Sequence, residues 1–328
     1  MAADKKVLDM AKLKRFGGQS AIANSVEHRP LPGLTGPEPF TPGNDRRSRR
    51  GKIQKLNLGR QPAMLWVRWF MSSKSPSPPI NYSDRFQEPT AVAAYETKEY
   101  GVGSYSSFIW ELQRPVLEKI VADFRKTQAD PVRLLDFACG TGRVISCLEP
   151  LVDTAEGVDI SESMVAVARK KCRTARFQVG DILSRPEMLH NNYDVITSFR
   201  FLLNVEPELR SRVLKKLREV LREPDGLLVV NVHGNSRSLR HPAIVWRRWR
   251  ERANKTDAML NEMSPVETKQ LLQSSGFHIV HQFGFGMLPP TLYRTPLRGA
   301  AAVVDKVFAG ENRWSDRSID LLFVCRPV

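Results

Sequence analysis

One stretch of the chain carries the densest chemical signal: Leu134-Leu135-Asp136-Phe137-Ala138-Cys139-Gly140-Thr141-Gly142-Arg143-Val144. An apolar run ends there in a Gly-x-Gly turn, and helical spacing resumes after it. Glycines in such a turn let a ligand approach the backbone where a Cβ would block it. Asp136 lies inside the run and Asp159 at the end of the next apolar segment, where a carboxylate can accept both hydroxyls of a ribose. A nucleotide-like ligand is therefore expected on this turn.

Two ligand classes compete for it. A dinucleotide fingerprint requires a third small residue three positions after the second glycine, and Ile145 stands at that place. Asp136 would repel phosphates but can help hold a cationic amino acid moiety. These two residues favour S-adenosylmethionine over a nicotinamide or flavin dinucleotide.

The turn needs a scaffold, and the surrounding pattern supplies one. Val132–Ala138, Glu156–Ile160, Arg176–Gly180, Tyr193–Ser198 and Gly226–Val232 read as strands. Helices are expected over Arg143–Leu148, after the N-cap Ser161, from Pro207 onward, and over Pro265–Ser274. A leading helix carries Phe108, Ile109, Leu112, Val116, Ile120 and Phe124, with Pro115 expected to kink it or to open a second helix. Phe277–Phe283 and Ile319–Cys325 lack an intervening helix next to the second strand, which suits an antiparallel pair at a sheet edge. The fold class is α/β: a doubly wound, Rossmann-like sheet, mostly parallel with an antiparallel last strand, and helices on both faces.

With these elements in place, the sequence resembles the class I S-adenosylmethionine-dependent methyltransferases over roughly residues 90–327. Leu135 to Gly142 is similar to the first motif of that family, and Gly157-Val158-Asp159-Ile160-Ser161-Glu162-Ser163-Met164 to its second. The resemblance implies that Asp136, Ala138, Cys139, Gly140 and Gly142 surround the methionine part of the cofactor. It also implies that Asp159 binds the ribose and that Ile160 and Met164 flank the adenine. Val179-Gly180-Asp181-Ile182 resembles the adenine-amine motif, with Asp181 as acceptor and Ile182 beside it. Ser198 and Phe199 then follow the fourth strand beside the transferable methyl group.

The acceptor side is read from the residues. In such sheets ligands lie outside the carboxyl ends of the strands. His233, in Asn231-Val232-His233-Gly234-Asn235, is the candidate general base, and a histidine that merely bonds a loop carbonyl is the plain alternative. Tyr95, Tyr100 and Tyr105 with nearby glycines suit a mobile lid, while Arg200, Asn204 and Tyr293 complete the candidate substrate residues. Thr197-Ser198-Phe199-Arg200-Phe201 lacks the Asn/Asp-Pro-Pro-Tyr/Phe pattern of enzymes that methylate exocyclic or amide nitrogens. The expectation is methyl transfer by in-line displacement to a small organic acceptor, at a hydroxyl or an amine.

Charge and composition bound the partners. The 328 residues carry 50 Lys+Arg against 35 Asp+Glu, a net +15. Residues 1–80 hold 15 basic and 5 acidic residues, nine of the 22 prolines and the run Arg46-Arg47-Ser48-Arg49-Arg50, so the excess is mostly a property of that segment. Residues 1–84 are expected to form a basic, Pro/Arg-rich, largely disordered extension, and residues 85–328 the methyltransferase domain, with substrate-cap insertions near 236–263 and 286–317. The sequence leaves open a translation start at Met71, after which the composition becomes domain-like, and intact-mass measurement decides it.

Three other readings compete. Trp246-Arg247-Arg248-Trp249-Arg250-Glu251-Arg252 interleaves basic and aromatic residues as an RNA methyltransferase could, although a solvated helix with both tryptophans inward explains the run as well. Leu297–Phe308 is amphipathic with neighbouring arginines, which suits either a peripheral membrane contact or a cap over the pocket. A non-catalytic cofactor-binding scaffold is the third. Cys139, Cys147, Cys172 and Cys325 show no CxxC spacing, so no metal site or disulfide framework is expected. No secretory or membrane-spanning pattern is present, and a cytoplasmic location is expected.

Overall fold

A computed structural model describes residues 103–242 and 262–328, together with Val92, Glu96, Thr97, Gly101 and Val245. The extension 1–84, Tyr95, Tyr100 and the segment 246–252 lie outside the described residues. Helix α1 (Tyr105–Thr127) opens on the N-cap Ser104, whose side chain accepts from Ser107 N, and closes with Arg125 and Lys126 in its last turn. It runs on through Pro115 as one helix. Burial of Ile109 and Gln113 before the proline and of Leu117, Ile120, Val121 and Phe124 after it holds both halves on the same surface.

The chain then alternates: β1 (Arg133–Phe137), α2 (Arg143–Leu148), β2 (Thr154–Asp159), α3 (Glu162–Lys171), β3 (Arg176–Val179), β4 (Val195–Phe199), α4 (Pro207–Val220), β5 (Leu227–Val232), α5 (Pro265–Ser274), β6 (Phe277–Phe285), α6 (Arg298–Phe308) and β7 (Asp320–Pro327). The seven strands form one sheet in the order β3-β2-β1-β4-β5-β7-β6. Strands β1 to β5 pair in parallel, whereas β7 runs antiparallel to both β5 and β6. The expected antiparallel pair is thus at the edge, with the last strand inserted inside β6.

Alternate residues feed two apolar layers, as a sheet covered on both faces requires. Leu134, Val195 and Val229 pack under α1 and α2 with Phe283 and Phe285. Leu135, Ile196 and Leu228 face α4 and α5 through Val213, Leu217 and Leu272. Ser161 caps α3 through Met164 N, and Ser264 with Glu267 forms a capping box on α5. Among the described residues no helix is long and apolar enough to cross a membrane.

This topology brings the ends of β1, β2, β4 and β5 and the beginning of the reversed β7 to one rim of the sheet. The strand order reverses between β1 and β4, the switch point at which open α/β sheets bind ligands.

Candidate functional site

The turn after β1 is built by backbone bonds. Cys139 N donates to Val158 O at 3.1 Å, and Gly142 N to Cys139 O at 3.0 Å. Gly140 and Gly142 adopt φ of 52° and 74°, a region that L-residues rarely enter. A Cβ on Gly142 would stand 2.8 Å from Ala168 Cβ on α3, whereas one on Gly140 would meet nothing within 4 Å. Gly142 is thus required for packing, and Gly140 faces open space. Ala138 shares the positive φ, at 55°, and Cys139 is buried behind the turn.

Asp159 ties this turn to the start of α3. Its Oδ2 accepts from Gly140 N at 2.8 Å and its Oδ1 from Ser161 N at 2.9 Å. Burial raises its pKa, and these backbone bonds oppose the rise. Ile160 beside it is 44% exposed, an apolar side chain left at the crevice, while Met164 is buried in the first turn of α3.

Asp136 is fully buried under the turn. Its Oδ1 accepts from Thr197 Oγ1 at 2.6 Å, and its Oδ2, equally buried, has no partner among the described residues. Burial pushes its pKa up to about 7, against the bond from Thr197 and the pull of the Ile145 backbone N–H nearby. A carboxyl with one satisfied and one orphaned oxygen is poised to take a donor or a cation. Ser198 Oγ at the end of β4 is a second buried polar atom without a partner among the described residues.

Asp181 and Ile182 sit at the end of β3, with a different emphasis from the one expected. Asp181 Oδ1 accepts from Leu183 N at 2.9 Å and Oδ2 from Ser184 Oγ at 2.7 Å, so the carboxylate caps its own turn. Ile182 is only 1% exposed and packs in the apolar layer with Leu135 and Ile196. The backbone of this turn, and lone pairs that Asp181 retains, are what it can offer a ligand; the Ile182 side chain is core.

The residues expected on the acceptor side lie on β4, β5 and α1 and in the turns that follow the two strands. Phe199 meets Trp110 edge-on at 6.2 Å, and the Arg143 guanidinium stands 4.8 Å over the same indole. Arg200 has φ of 58°, a strained backbone that turns the chain sharply out of β4, and Asn204 Nδ2 donates to its carbonyl. His233 is half-buried, and its Nδ1 is buried with no partner among the described residues. Burial first, then Arg200 and Arg240, hold its pKa well below the usual histidine value, so the imidazole is neutral.

Tyr105 on α1 packs edge-on against Tyr293 at 5.0 Å, and Phe108 lies 5.0 Å from the same ring. Tyr293 Oη donates to Asp305 Oδ2 at 2.6 Å, so its hydroxyl is committed to α6 while its ring packs on Tyr105 and Phe108. The Tyr105 hydroxyl is buried and has no partner among the described residues.

Several contributors escaped the sequence reading. Glu96 accepts from Thr141 Oγ1 inside the Gly-x-Gly turn and pairs with Lys171 Nζ at 3.2 Å, linking the segment before α1 to the turn and to α3. Asp320 Oδ1 accepts from Asn231 Nδ2 at 3.0 Å and Gln113 Nε2 at 3.3 Å, joining β7, β5 and α1 at the rim. Asn231 was visible as one polar residue in the apolar run Leu227–Val232. Arg240 and Asp305 gave no comparable signal.

The family model of the methyltransferase domain matches residues 109–282, more than half of the chain. The chain belongs to the class I S-adenosylmethionine-dependent methyltransferases. A methyltransferase of Geobacillus sp. (strain WCH70) is 33% identical over 106 residues, 31% of this chain and 42% of the relative. The demethylmenaquinone methyltransferase of Thermotoga maritima is 31% identical over 107 residues, 32% of this chain and 45% of the relative. The chain thus spans less than half the length of these curated relatives. Among solved structures, magnesium protoporphyrin IX methyltransferase from Synechocystis with bound SAH has a TM-score of 0.48 at 15% identity, covering 73% of this chain and 99% of that one. The seven strands run in the order β3-β2-β1-β4-β5-β7-β6, and the Gly-x-Gly turn lies at the switch point between β1 and β4.

Proposed function

We propose that the protein transfers a methyl group from S-adenosylmethionine to a small organic acceptor, at a hydroxyl or an amine, in the crevice between the turn over Gly140 and the ring of Tyr293. The observation that carries this reading is the buried, unpartnered Asp136 Oδ2 under a turn that is open at Gly140. The fit to the cofactor rests on chemistry: an acid for a cationic amino acid moiety, the lone pairs left on Asp159 for ribose hydroxyls, and the exposed Ile160 with Met164 for an adenine face. Asp181 and Ile182 contribute through the turn after β3. Bound there, the cofactor supplies a methyl group already activated by its sulfonium.

The chain's own residues then have to align the acceptor and exclude water. Phe199, Trp110, Tyr105 and Tyr293 furnish apolar walls, and Ser198, Arg200 and Asn204 orient polar groups at the end of β4. Tyr95 and Tyr100 belong to the same proposed set through the segment that Glu96 anchors to Thr141. His233 is the proposed base. A neutral imidazole can accept the proton of an acceptor hydroxyl without first being deprotonated, which contributes roughly 10²–10⁴-fold where the acceptor needs it. The basic-aromatic run 246–252 supports a second reading, RNA as acceptor, less well, since a solvated helix with both tryptophans inward explains the run equally.

Two pH effects test the assignments. Asp136 holds its proton up to about pH 7 in the folded chain, whereas an unfolded aspartate loses it near 3.9. Its contribution to stability is therefore most favourable below the unfolded value and declines as pH rises toward 7. A cationic ligand beside it favours the carboxylate, so binding releases a proton at pH 6.5 and affinity falls up to about tenfold per unit below 7. Calorimetry of S-adenosylmethionine in buffers of different ionisation enthalpy should show this release and Asp136→Asn should lack it; buffer-independent heats for the wild type would remove Asp136 from the site.

His233 has the opposite sign. Its folded pKa lies below that of an unfolded histidine near 6.5, so its contribution to stability is complete above that value and is lost as pH falls below it. His233→Gln should flatten the acid limb of the unfolding midpoint between pH 6.5 and 5 and lower turnover on a hydroxyl acceptor by about 10²-fold. Undiminished turnover would reassign His233 to packing alone.

A further inference from the structure

Helix α6 is inverted with respect to an ordinary surface helix. Its acid, Asp305, is fully buried, accepting from Met287 N at 2.7 Å, Leu288 N at 3.0 Å and Tyr293 Oη at 2.6 Å. Its solvent side carries Ala300, Val303 and Val307 at helical spacing, preceded by Leu297. Leu297 is 61% exposed, Val303 62% and Val307 72%. Just past the helix Trp314 is 45% exposed, with the Arg313 guanidinium 5.1 Å from its ring.

The charges on and beside the helix are basic, and the exposed acid between it and Trp314, Glu311, lies 3.2 Å from His281 Nδ1. Arg294, Arg298 and Lys306 are exposed on and beside α6, and the helix exposes no acid. An amphipathic helix with valines, a leucine and a flanking tryptophan outward, bordered by Lys and Arg, matches an anionic bilayer surface, into whose headgroup region the apolar side can sink. A second copy of the chain is a poorer occupant. Isologous pairing would set Arg298 and Lys306 of one protomer against the same residues of the other. The strip is also only about 16 Å long, short of the roughly 800 Å² per partner that stable protein interfaces bury.

We propose that the outer face of α6, with Leu297 and Trp314, docks the protein on anionic lipid membranes. The inner face of the same helix holds Tyr293 over Tyr105, so docking puts the roof of the crevice at the lipid surface. This inference goes beyond the acceptor assignment and does not depend on it.

The test is sedimentation of the full chain with vesicles of phosphatidylcholine alone or with about one-third phosphatidylserine. Wild-type protein is expected to co-sediment with the anionic vesicles, less so at high salt, and Val303→Glu/Val307→Glu to bind at least about tenfold more weakly. Both side chains point to solvent, so the double variant should keep its unfolding midpoint and its affinity for S-adenosylhomocysteine. Failure of the wild type to bind anionic vesicles, or undiminished binding by the folded double variant, which would assign the attraction to the Arg-rich segment 46–50, overturns the proposal. So does a wild-type dimer in light scattering that the double variant abolishes. Loss of S-adenosylhomocysteine binding by the wild type bears on the proposed methyl transfer alone.

Discussion

Asp159→Ala is expected to lower affinity for S-adenosylhomocysteine by at least about 100-fold, the equivalent of roughly 2.7 kcal/mol. The side chain joins two neighbours before any ligand arrives, holding Gly140 N at 2.8 Å and Ser161 N at 2.9 Å. Hydrogen bonds to a charged acceptor are worth about 1.5–3 kcal/mol each, so removing the carboxylate frees the Gly-x-Gly turn from the start of α3 as well as deleting the proposed ribose contact. Asp159→Asn keeps one acceptor oxygen and should fall between the two. Isothermal titration with S-adenosylhomocysteine measures both, and affinity for the alanine variant within about threefold of wild type would rule out the clamp.

Gly142→Val should unfold the domain early, by about 3–5 kcal/mol. At φ of 74° a β-branched residue is a strong outlier, and its Cβ would lie 2.8 Å from Ala168 Cβ and 3.0 Å from Ala168 Cα. Backbone on the far side cannot rotate away, so α2 and α3 have to separate. For a domain of this size the melting temperature should drop by about 10 °C. Gly140→Ala is the control. Its φ of 52° costs about 1–2 kcal/mol, yet nothing lies within 4 Å of the added carbon. That variant should fold and lose ligand affinity, because the methyl group fills the open side of the turn. If both glycine variants melt alike and bind alike, the division of labour between packing and ligand approach is wrong.

How far the site was legible varies by residue. Asp136, Gly140, Gly142 and Asp159 lie on a strand, a turn and the next strand within a short span of chain. Their local backbone geometry dictates their placement, so spacing alone locates them. Asp181 carried the same motif signal, but its carboxylate is engaged by Leu183 N and Ser184 Oγ, a local competition that spacing does not reveal. Asp320 and Gln113 are 207 positions apart and meet only because β7 reverses beside β5 under α1. The same holds for Glu96 with Lys171, 75 positions apart.

By itself the sequence determined the alternation of strands and helices, the Gly-x-Gly turn and the family, since hydrophobic period, caps and glycine spacing act over a few residues. Pro115 shows the limit: local rules expected a kink or a break, and packing on both sides of the proline carried the helix through. Helix α6 shows it again. Its amphipathic pattern was plain, but an apolar stripe has no direction until a fold surrounds it. Only the tertiary structure turned Asp305 inward to Tyr293 and the Met287 and Leu288 amides, leaving Val303 and Val307 to solvent, because satisfying a buried acid and two buried N–H groups outweighs covering two valines.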